Sequence, residues 1–306
     1  MNSLIDLLRK LLESMQGPET KPVRVIVKHA FFLLVLPGLV FAGLREGEDL
    51  TFRVRWGAIT GGYASLAVSN IDLKEGRPAY HFVSNARSAK WVETMYKVED
   101  HNEAWMDTEG AYSLGYTKMI KEKHYHIEEQ VAFDPVNLKY KSSSFRVDKD
   151  CHREKEGNLQ GKVLDVLSSL YYVRTLPLEV GKSYVMDVHT DDKSWPLEMK
   201  VLRKESVSVK AGKFNCIVVE PVLREPGIFI SKGKSLEVWL TDDDQKMPVM
   251  MRAEIFVGHV TAELVKYSEP AADTIHVAHK GSGAQSKTYF DPTKELADDS
   301  TVASLQ

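Results

Sequence analysis

The sequence predicts a mainly β protein, built as a curved antiparallel sheet or a partly open β-barrel or sandwich, with one amphipathic helix packed against it. Three observations support this fold class. Apolar residues alternate with polar ones over many short segments, turn-forming residues separate those segments, and beyond residue 44 one stretch has helical spacing. Strands that follow one another this closely pair antiparallel, because a parallel pair needs a crossover of roughly a dozen residues or more.

The clearest strand runs from Leu50 to Trp56, where apolar residues occupy every second position. Similar alternation recurs over residues 64–68, 249–257 and 260–264. Predicted turns lie at Thr60-Gly61-Gly62, Lys74-Glu75-Gly76, Asp134-Pro135, Ala211-Gly212-Lys213 and Asp242-Asp243-Asp244.

The predicted helix carries its apolar residues on one stripe and ends before Pro177; the stripe comprises Val163, Val166, Leu167, Leu170, Tyr171 and Val173. Residues 147–162 are polar and lack a usable period. We interpret them as a linker between an N-terminal and a C-terminal set of strands.

Residues 23–42 have the composition of a secretory signal peptide. Arg24 and Lys28 precede an apolar run that closes at Ala42, after which we predict cleavage. The run is shorter than the roughly 20 residues of a spanning helix and contains Pro37. We therefore predict an exported protein, periplasmic or elsewhere in the cell envelope, with no membrane anchor after processing. Residues 1–22 are either a long n-region or precede the true start.

The globular domain is predicted at residues 44–267. Residues 268–306 are small, polar and acidic, which is typical of a disordered tail.

Composition excludes one class of partner. The chain is 43% hydrophobic and 27% charged, with a net charge of −3, and no basic stripe with interleaved aromatics appears. We therefore predict no nucleic-acid binding. Neither a nucleophile elbow nor a phosphate-binding loop is present, so the sequence indicates no catalytic residues and no cofactor, and it leaves the ligand-binding residues unknown.

The two cysteines, Cys151 and Cys216, are a candidate disulfide in an oxidising compartment. The alternative is that Cys216 is a small buried apolar residue of a strand, while Cys151 lies in the polar linker.

No metal site is predicted. His124 and His126 would share one face of a strand, but no third ligand is fixed by spacing. Asp242, Asp243 and Asp244, like Asp191-Asp192, are interpreted as turns. The five tryptophans either line a pocket or, more often, fill a core: Trp56, Trp91, Trp105, Trp195 and Trp239.

Three stretches together resemble an exported bacterial family of unknown function, DUF3108: Asp165 to Tyr184, Lys210 to Pro221 and Gly233 to Leu264. The resemblance spans roughly residues 47–267 and implies a curved antiparallel sheet of the periplasmic lipoprotein-carrier type, with a helix partly filling its concave face. It implies no catalytic residues.

The leading hypothesis is a non-enzymatic protein that binds an apolar or amphiphilic envelope ligand, with a lipid or an envelope protein as partner. A second is a scaffold for envelope proteins. A third, less favoured, is a hydrolase that uses some of Glu93, Asp100, His101, Asp242 and Asp243, which requires these side chains to meet in one cleft.

Overall fold

The computed structural model of the protein describes residues 44–69, 71–223, 235–255 and 258–268. Within those ranges one antiparallel sheet dominates. Its strands are β1 Asp49–Trp56, β2 Ile59–Val68, β3 Asp72–Lys74, β4 Arg77–Ser88, β5 Val98–Asp107, β6 Ser113–Glu122, β7 Tyr125–Asp134, β8 Lys139–Arg146, β9 Cys151–Asn158, β10 Ser183–Thr190, β11 Lys193–Val209, β12 Gly212–Leu223, β13 Leu236–Thr241, β14 Pro248–Glu254 and β15 His259–Ser268. Two α-helices accompany them, α1 Lys90–Glu93 and α2 Val166–Arg174, with a 3-10 turn at Val147–Lys149.

The strand order begins with β10 and runs through β15, continues with β1, β2 and β4, and ends at β9, so that β10 and β9 form the two edges; β3 pairs only with β4. Every pair of neighbouring strands is antiparallel, and β1 joins the C-terminal strands to the N-terminal ones by pairing with β15 and β2. This arrangement confirms the predicted fold class.

Helix α2 lies against the sheet, and we call the face that it covers the inner face. Tyr171 of the helix stacks on Phe82 of β4 with ring centroids 3.9 Å apart, and both side chains are fully buried. Apolar side chains of β1, β2 and β15 continue the same core. The packed helix agrees with the architecture that the family resemblance implies.

The start of α2 is fixed by a buried cap. Asp165 accepts hydrogen bonds from the backbone N–H groups of Leu167 and Ser168, and also from the hydroxyls of Ser168 and Ser113. These bonds satisfy helix donors that would otherwise be left unpaired. Burial raises the pKa of Asp165, although the same hydrogen bonds oppose the shift.

The end of α2 is held by an ion pair inside the core. Arg174 donates to both carboxylate oxygens of Glu48 over 2.7 and 2.6 Å, and it also donates to the carbonyl of Gln245. Neither side chain of the pair is exposed appreciably. A bidentate pair of this kind satisfies both charges, which is the condition for burying them.

Two sequence predictions of local structure were wrong. Residues 151–158 of the supposed linker form strand β9, because an edge strand that faces solvent needs no apolar period. Thr60-Gly61-Gly62 lies within β2, and the turn comes earlier, at Gly57. Gly62 is required by close contact, since a Cβ there would lie 2.3 Å from the carbonyl oxygen of Arg87.

The other predicted turns separate strands as expected, and α2 begins at Val166 rather than Val163. Leu164 instead extends alongside Val188 of β10.

The signal peptide at residues 23–42, the segment 1–22 and most of the acidic tail lie outside the described residues. Within the described part of the chain, no helix combines the length and the apolar character that crossing a bilayer requires.

Candidate functional site

A row of polar side chains crosses the inner face on the N-terminal strands. Strand register places six residues side by side, one on each strand from β4 to β9: Ser84, Asn102, Lys118, Glu129, Ser144 and Arg153. Inner faces of sheets are normally apolar, because burying polar groups costs free energy unless they are paired. We call Asn102, Lys118 and Glu129, together with Tyr116, the inner polar band.

Two members of the band form a buried ion pair. The Nζ atom of Lys118 lies 2.5 Å from Oε2 of Glu129, and both side chains are almost completely buried. Because Oε2 of Glu129 accepts no hydrogen bond of good geometry, the contact is an ion pair only. The two charges neutralise each other across neighbouring strands, so the pair presents little net charge to a ligand.

Asn102 is the cross-strand neighbour of Lys118, and neither its amide oxygen nor its amide nitrogen has a hydrogen-bond partner, although the residue is only 6% exposed. The hydroxyl of buried Tyr116 is likewise unpartnered. Burial raises the pKa of Tyr116 well above its ordinary value, and the nearby Glu129 adds to the shift. Tyr116 therefore keeps its proton and offers a hydrogen-bond donor.

The tip of the β10–β11 hairpin lies over this band. Asp191 and Asp192 form a two-residue turn in which both φ angles are positive, at 51° and 61°, a conformation that Asp tolerates better than most residues. Asp191 lies 3.4 Å from Lys118, while Asp192 contacts Lys155 at 2.8 Å and accepts a hydrogen bond from Ser142. The hairpin at one edge of the sheet thus docks on the inner face near the other edge.

His189, just before the turn, lies between aromatic rings of the inner face. Its ring centroid is 4.4 Å from that of Tyr140 and 5.4 Å from that of Phe133. Burial lowers the pKa of His189 to about 4 against the opposing effect of Asp192 and Asp191, so the ring is neutral at pH 7. Its Nε2 atom has no partner, while Nδ1 contacts the hydroxyl of Ser194.

This arrangement is suited to binding. Buried amide and hydroxyl groups without partners are rare, because each costs about 1–3 kcal/mol of stability. Asn102 offers one donor group and one acceptor, and Tyr116 offers a donor, so a neutral hydroxyl or amide group would satisfy them. A bare anion would meet the carboxylates of Glu129 and Asp191.

The candidate disulfide does not form in the structure. Cys151 is exposed on edge strand β9, whereas Cys216 is buried in β12 on the other side of the sheet order. Burial raises the pKa of the Cys216 thiol to about 12, which suits the alternative interpretation of a small apolar residue.

The residues of the hydrolase hypothesis are scattered. Asp100 and His101 are adjacent on β5 and therefore point to opposite faces. His101 contacts Glu103 and Asn85 on the outer face, Glu93 pairs with Arg87, and Asp243 accepts hydrogen bonds from Thr241 and from backbone groups in the β13–β14 turn. No single cleft brings these five side chains together.

The histidines of the metal alternative do not share a strand face either, since His124 lies in the β6–β7 turn and His126 in β7. Within the described ranges no group of three or more His, Cys, Asp or Glu side chains is arranged to hold a metal ion. The tryptophans differ in exposure: Trp195 and Trp239 are buried, while Trp56 and Trp91 are exposed.

Sequence reasoning missed Asn102, Tyr116, Lys118 and Glu129. A usable signal was present, since Asp100, Asn102, Lys118 and Glu129 occupy the apolar-phase positions of their strands, at even spacing from Ala104, Ile120 and Val131. A polar residue in the buried phase of a strand marks a satisfied network or a binding site.

A known protein family matches most of the described part of the chain. A family model described as a protein of unknown function, DUF3108, matches residues 51–265. None of the curated proteins matches the chain.

Solved structures that match include a β-barrel-like protein with the domain of unknown function DUF1849 from Brucella abortus, at 9% identity and a TM-score of 0.48, over 74% of this chain and 99% of that one. Another is a provisionally named exported protein with a YmcC-like fold from Bacteroides fragilis, at 9% identity and a TM-score of 0.33, over 75% of this chain and 99% of that one. A hypothetical protein from Chlamydia trachomatis matches at 7% identity and a TM-score of 0.34, over 79% of this chain and 95% of that one.

Proposed function

We propose that this chain, which belongs to the DUF3108 family of proteins of unknown function, is an exported, non-enzymatic protein of the periplasm or cell envelope that binds an amphiphilic ligand on the inner face of its sheet. One observation carries the proposal. Asn102 and Tyr116 are buried side by side with Lys118 and Glu129, and their amide and hydroxyl groups have no partners. A ligand that supplies those hydrogen bonds recovers the free energy that their burial costs.

The chemistry of the band selects the head group. The charges of Lys118 and Glu129 already compensate each other, and Asp191 adds a carboxylate nearby. A neutral head with hydroxyl or amide groups therefore fits better than a phosphate or sulfate. A wholly apolar ligand fits less well, because apolar side chains of the inner face such as Phe52, Phe82 and Leu264 are already fully buried inside the protein.

Mass spectrometry of organic extracts from the purified full chain tests the proposal. We expect an amphiphile in extracts of the wild type and of a control variant, Asn158→Leu, whose substitution lies on the exposed edge strand. Extracts of the Asn102→Leu variant should contain at least about tenfold less amphiphile, since each buried hydrogen bond that is lost is worth more than about 1 kcal/mol. Residues 1–43 are common to all three proteins, so a difference cannot arise from them.

Two detergents with the same tail sharpen the test. Below their critical micelle concentrations, octyl glucoside should bind the wild type more tightly than octyl sulfate does, and Asn102→Leu should remove the preference. Extracts without any amphiphile, together with equal or absent binding of both detergents, would overturn the proposal. Recovery of a protein partner by crosslinking under those conditions would favour the scaffold hypothesis instead.

A further inference from the structure

Four large apolar side chains are exposed together at one end of the sheet. Trp56 and Ile59 face each other across the β1–β2 turn and are 43% and 51% exposed, while Trp91 of α1 and the following Met95 are 52% and 65% exposed. We call these four residues the apolar rim. Soluble proteins expose single apolar residues commonly, but several large ones grouped at one end of a sheet mark an interaction surface.

The rim is assembled from separate parts of the chain. The indole N–H of Trp91 donates to the carbonyl of Thr60 over 3.1 Å, which ties helix α1 to the start of β2 beside Ile59. Trp91 and Met95 are four residues apart, and buried Val92 anchors the helix between them. The apolar groups are therefore held outward by the fold rather than by chance positions of a loose loop.

The charges around the rim favour an anionic partner. The basic side chains on the neighbouring strands and turns are Arg55, Arg87, Lys90, Lys97, Lys123 and Arg252, and the acidic ones are Glu93, Glu99, Glu122, Glu254 and Glu263. Glu122 is buried and accepts a hydrogen bond from Tyr96. Several of the acids are occupied, since Glu263 pairs with Arg55, Glu93 with Arg87 and Glu99 with Lys97. The exposed lysines Lys90 and Lys123 are left as the surplus positive charge.

The size of the rim argues against a second protein. Four side chains about half exposed present on the order of 400 Å². A stable protein interface needs about 800 Å² from each partner. A bilayer needs no complementary surface, and tryptophan is the residue that favours the head-group region, because its ring is apolar and its N–H is polar.

We propose that the apolar rim inserts into the head-group region of an anionic lipid bilayer, so that the protein docks on a membrane surface by this end of its sheet. The proposal does not depend on a ligand at the inner polar band. Apolar insertion supplies most of the affinity, and the surplus lysines supply a preference for anionic lipid.

Vesicle flotation with the full chain tests this docking. The double variant Trp91→Ser/Met95→Ser should bind vesicles of phosphatidylglycerol and phosphatidylcholine roughly tenfold or more weakly than the wild type. The matched control Leu73→Ser/Val136→Ser removes two apolar side chains that are more than two-thirds exposed. They lie in β3 and in the β7–β8 turn, at the end of the sheet opposite to the rim. The control should bind like the wild type, and residues 1–43 are again common to all variants.

A charge variant separates the two contributions. Lys90→Gln/Lys123→Gln should weaken binding to the anionic vesicles roughly tenfold and leave binding to pure phosphatidylcholine unchanged. Equal binding by the wild type and Trp91→Ser/Met95→Ser, with both folded by circular dichroism, would overturn the proposal. A wild-type dimer in sedimentation that this variant dissociates, without any vesicle binding, would assign the rim to self-association and overturn it as well.

Discussion

Two rows of six side chains cross the inner face of the sheet, one of them apolar and the other polar. On the C-terminal strands and β1, six neighbouring positions are apolar: Val54, Ala262, Met251, Val238, Val219 and Val201. On β4 to β9 the corresponding row is Ser84, Asn102, Lys118, Glu129, Ser144 and Arg153. Both rows belong to one continuous sheet with the same backbone pairing.

The two rows differ in what they contribute to stability. The apolar row removes hydrocarbon from water, and its five most buried members contribute stability through that burial. The polar row loses this contribution, and Asn102 in this row and Tyr116 in the next row have polar groups without partners. Under the proposed function, a bound ligand supplies the missing hydrogen bonds and recovers this cost.

The largest predicted effect concerns the ion pair of Arg174 and Glu48, which is buried in the core. Arg174→Met leaves the buried carboxylate of Glu48 without its partner, so we expect the free energy of unfolding to fall by about 3–5 kcal/mol. Chemical denaturation measures this. The double variant Arg174→Met/Glu48→Met should recover at least half of the loss, and Lys182→Met, which breaks an exposed pair with Glu179, should cost less than about 1 kcal/mol. If Lys182→Met lowered the free energy of unfolding as much as Arg174→Met does, burial would not explain the effect of the Arg174–Glu48 pair.

The second prediction places a polar group in the apolar row. Val219→Asn introduces an amide where the neighbouring side chains Val201 and Val238 offer no hydrogen bond, and it should cost about 3 kcal/mol. The same substitution at Val185, which is exposed on β10, should change stability by less than about 0.5 kcal/mol. If both variants unfold at the same denaturant concentration, the apolar row does not carry the stability that we assign to it.

The third prediction places an apolar side chain in the polar row. Asn102→Leu removes two unpaired buried groups and should raise the free energy of unfolding of the ligand-free protein by about 1 kcal/mol. Thermal and denaturant unfolding of delipidated protein provide the measurement. A loss of more than about 1 kcal/mol would mean that Asn102 supports the fold rather than a ligand.

The smallest predicted effect concerns the hairpin tip that joins the two edges. Burial would raise the pKa of Asp192, but hydrogen bonds from Lys155 and Ser142 outweigh it and hold the pKa below its ordinary value of 3.8. A lowered pKa in the folded state stabilises the protein above pH 3.8, and this contribution disappears as the pH falls through the folded value.

Asp192→Asn should therefore cost about 1 kcal/mol at pH 7. The gap between variant and wild type should close as denaturation curves are measured at pH values below 3.8. A gap that stays constant with pH would show that the ionised carboxylate is not what holds the tip. Asp150→Asn, in an exposed turn, serves as the control.

The sequence by itself determined the fold class, helix α2, most turns of the described residues and the family. These follow from local signals: the period of two in β1, the stripe on α2, and Gly, Pro and Asp at turns. It failed at β9, where an edge strand carries no apolar period, and at Gly62, whose role depends on the carbonyl of Arg87 across the sheet.

Only the tertiary structure decided which polar residues meet. Asn102, Lys118 and Glu129 become neighbours through strand register, and Asp191 reaches Lys118 because the sheet curves until one edge hairpin lies on the inner face near the other edge. The exposed rim likewise depends on α1 docking beside Ile59. Register and curvature are set by the sum of contacts distant in sequence, and no local pattern of residues records them.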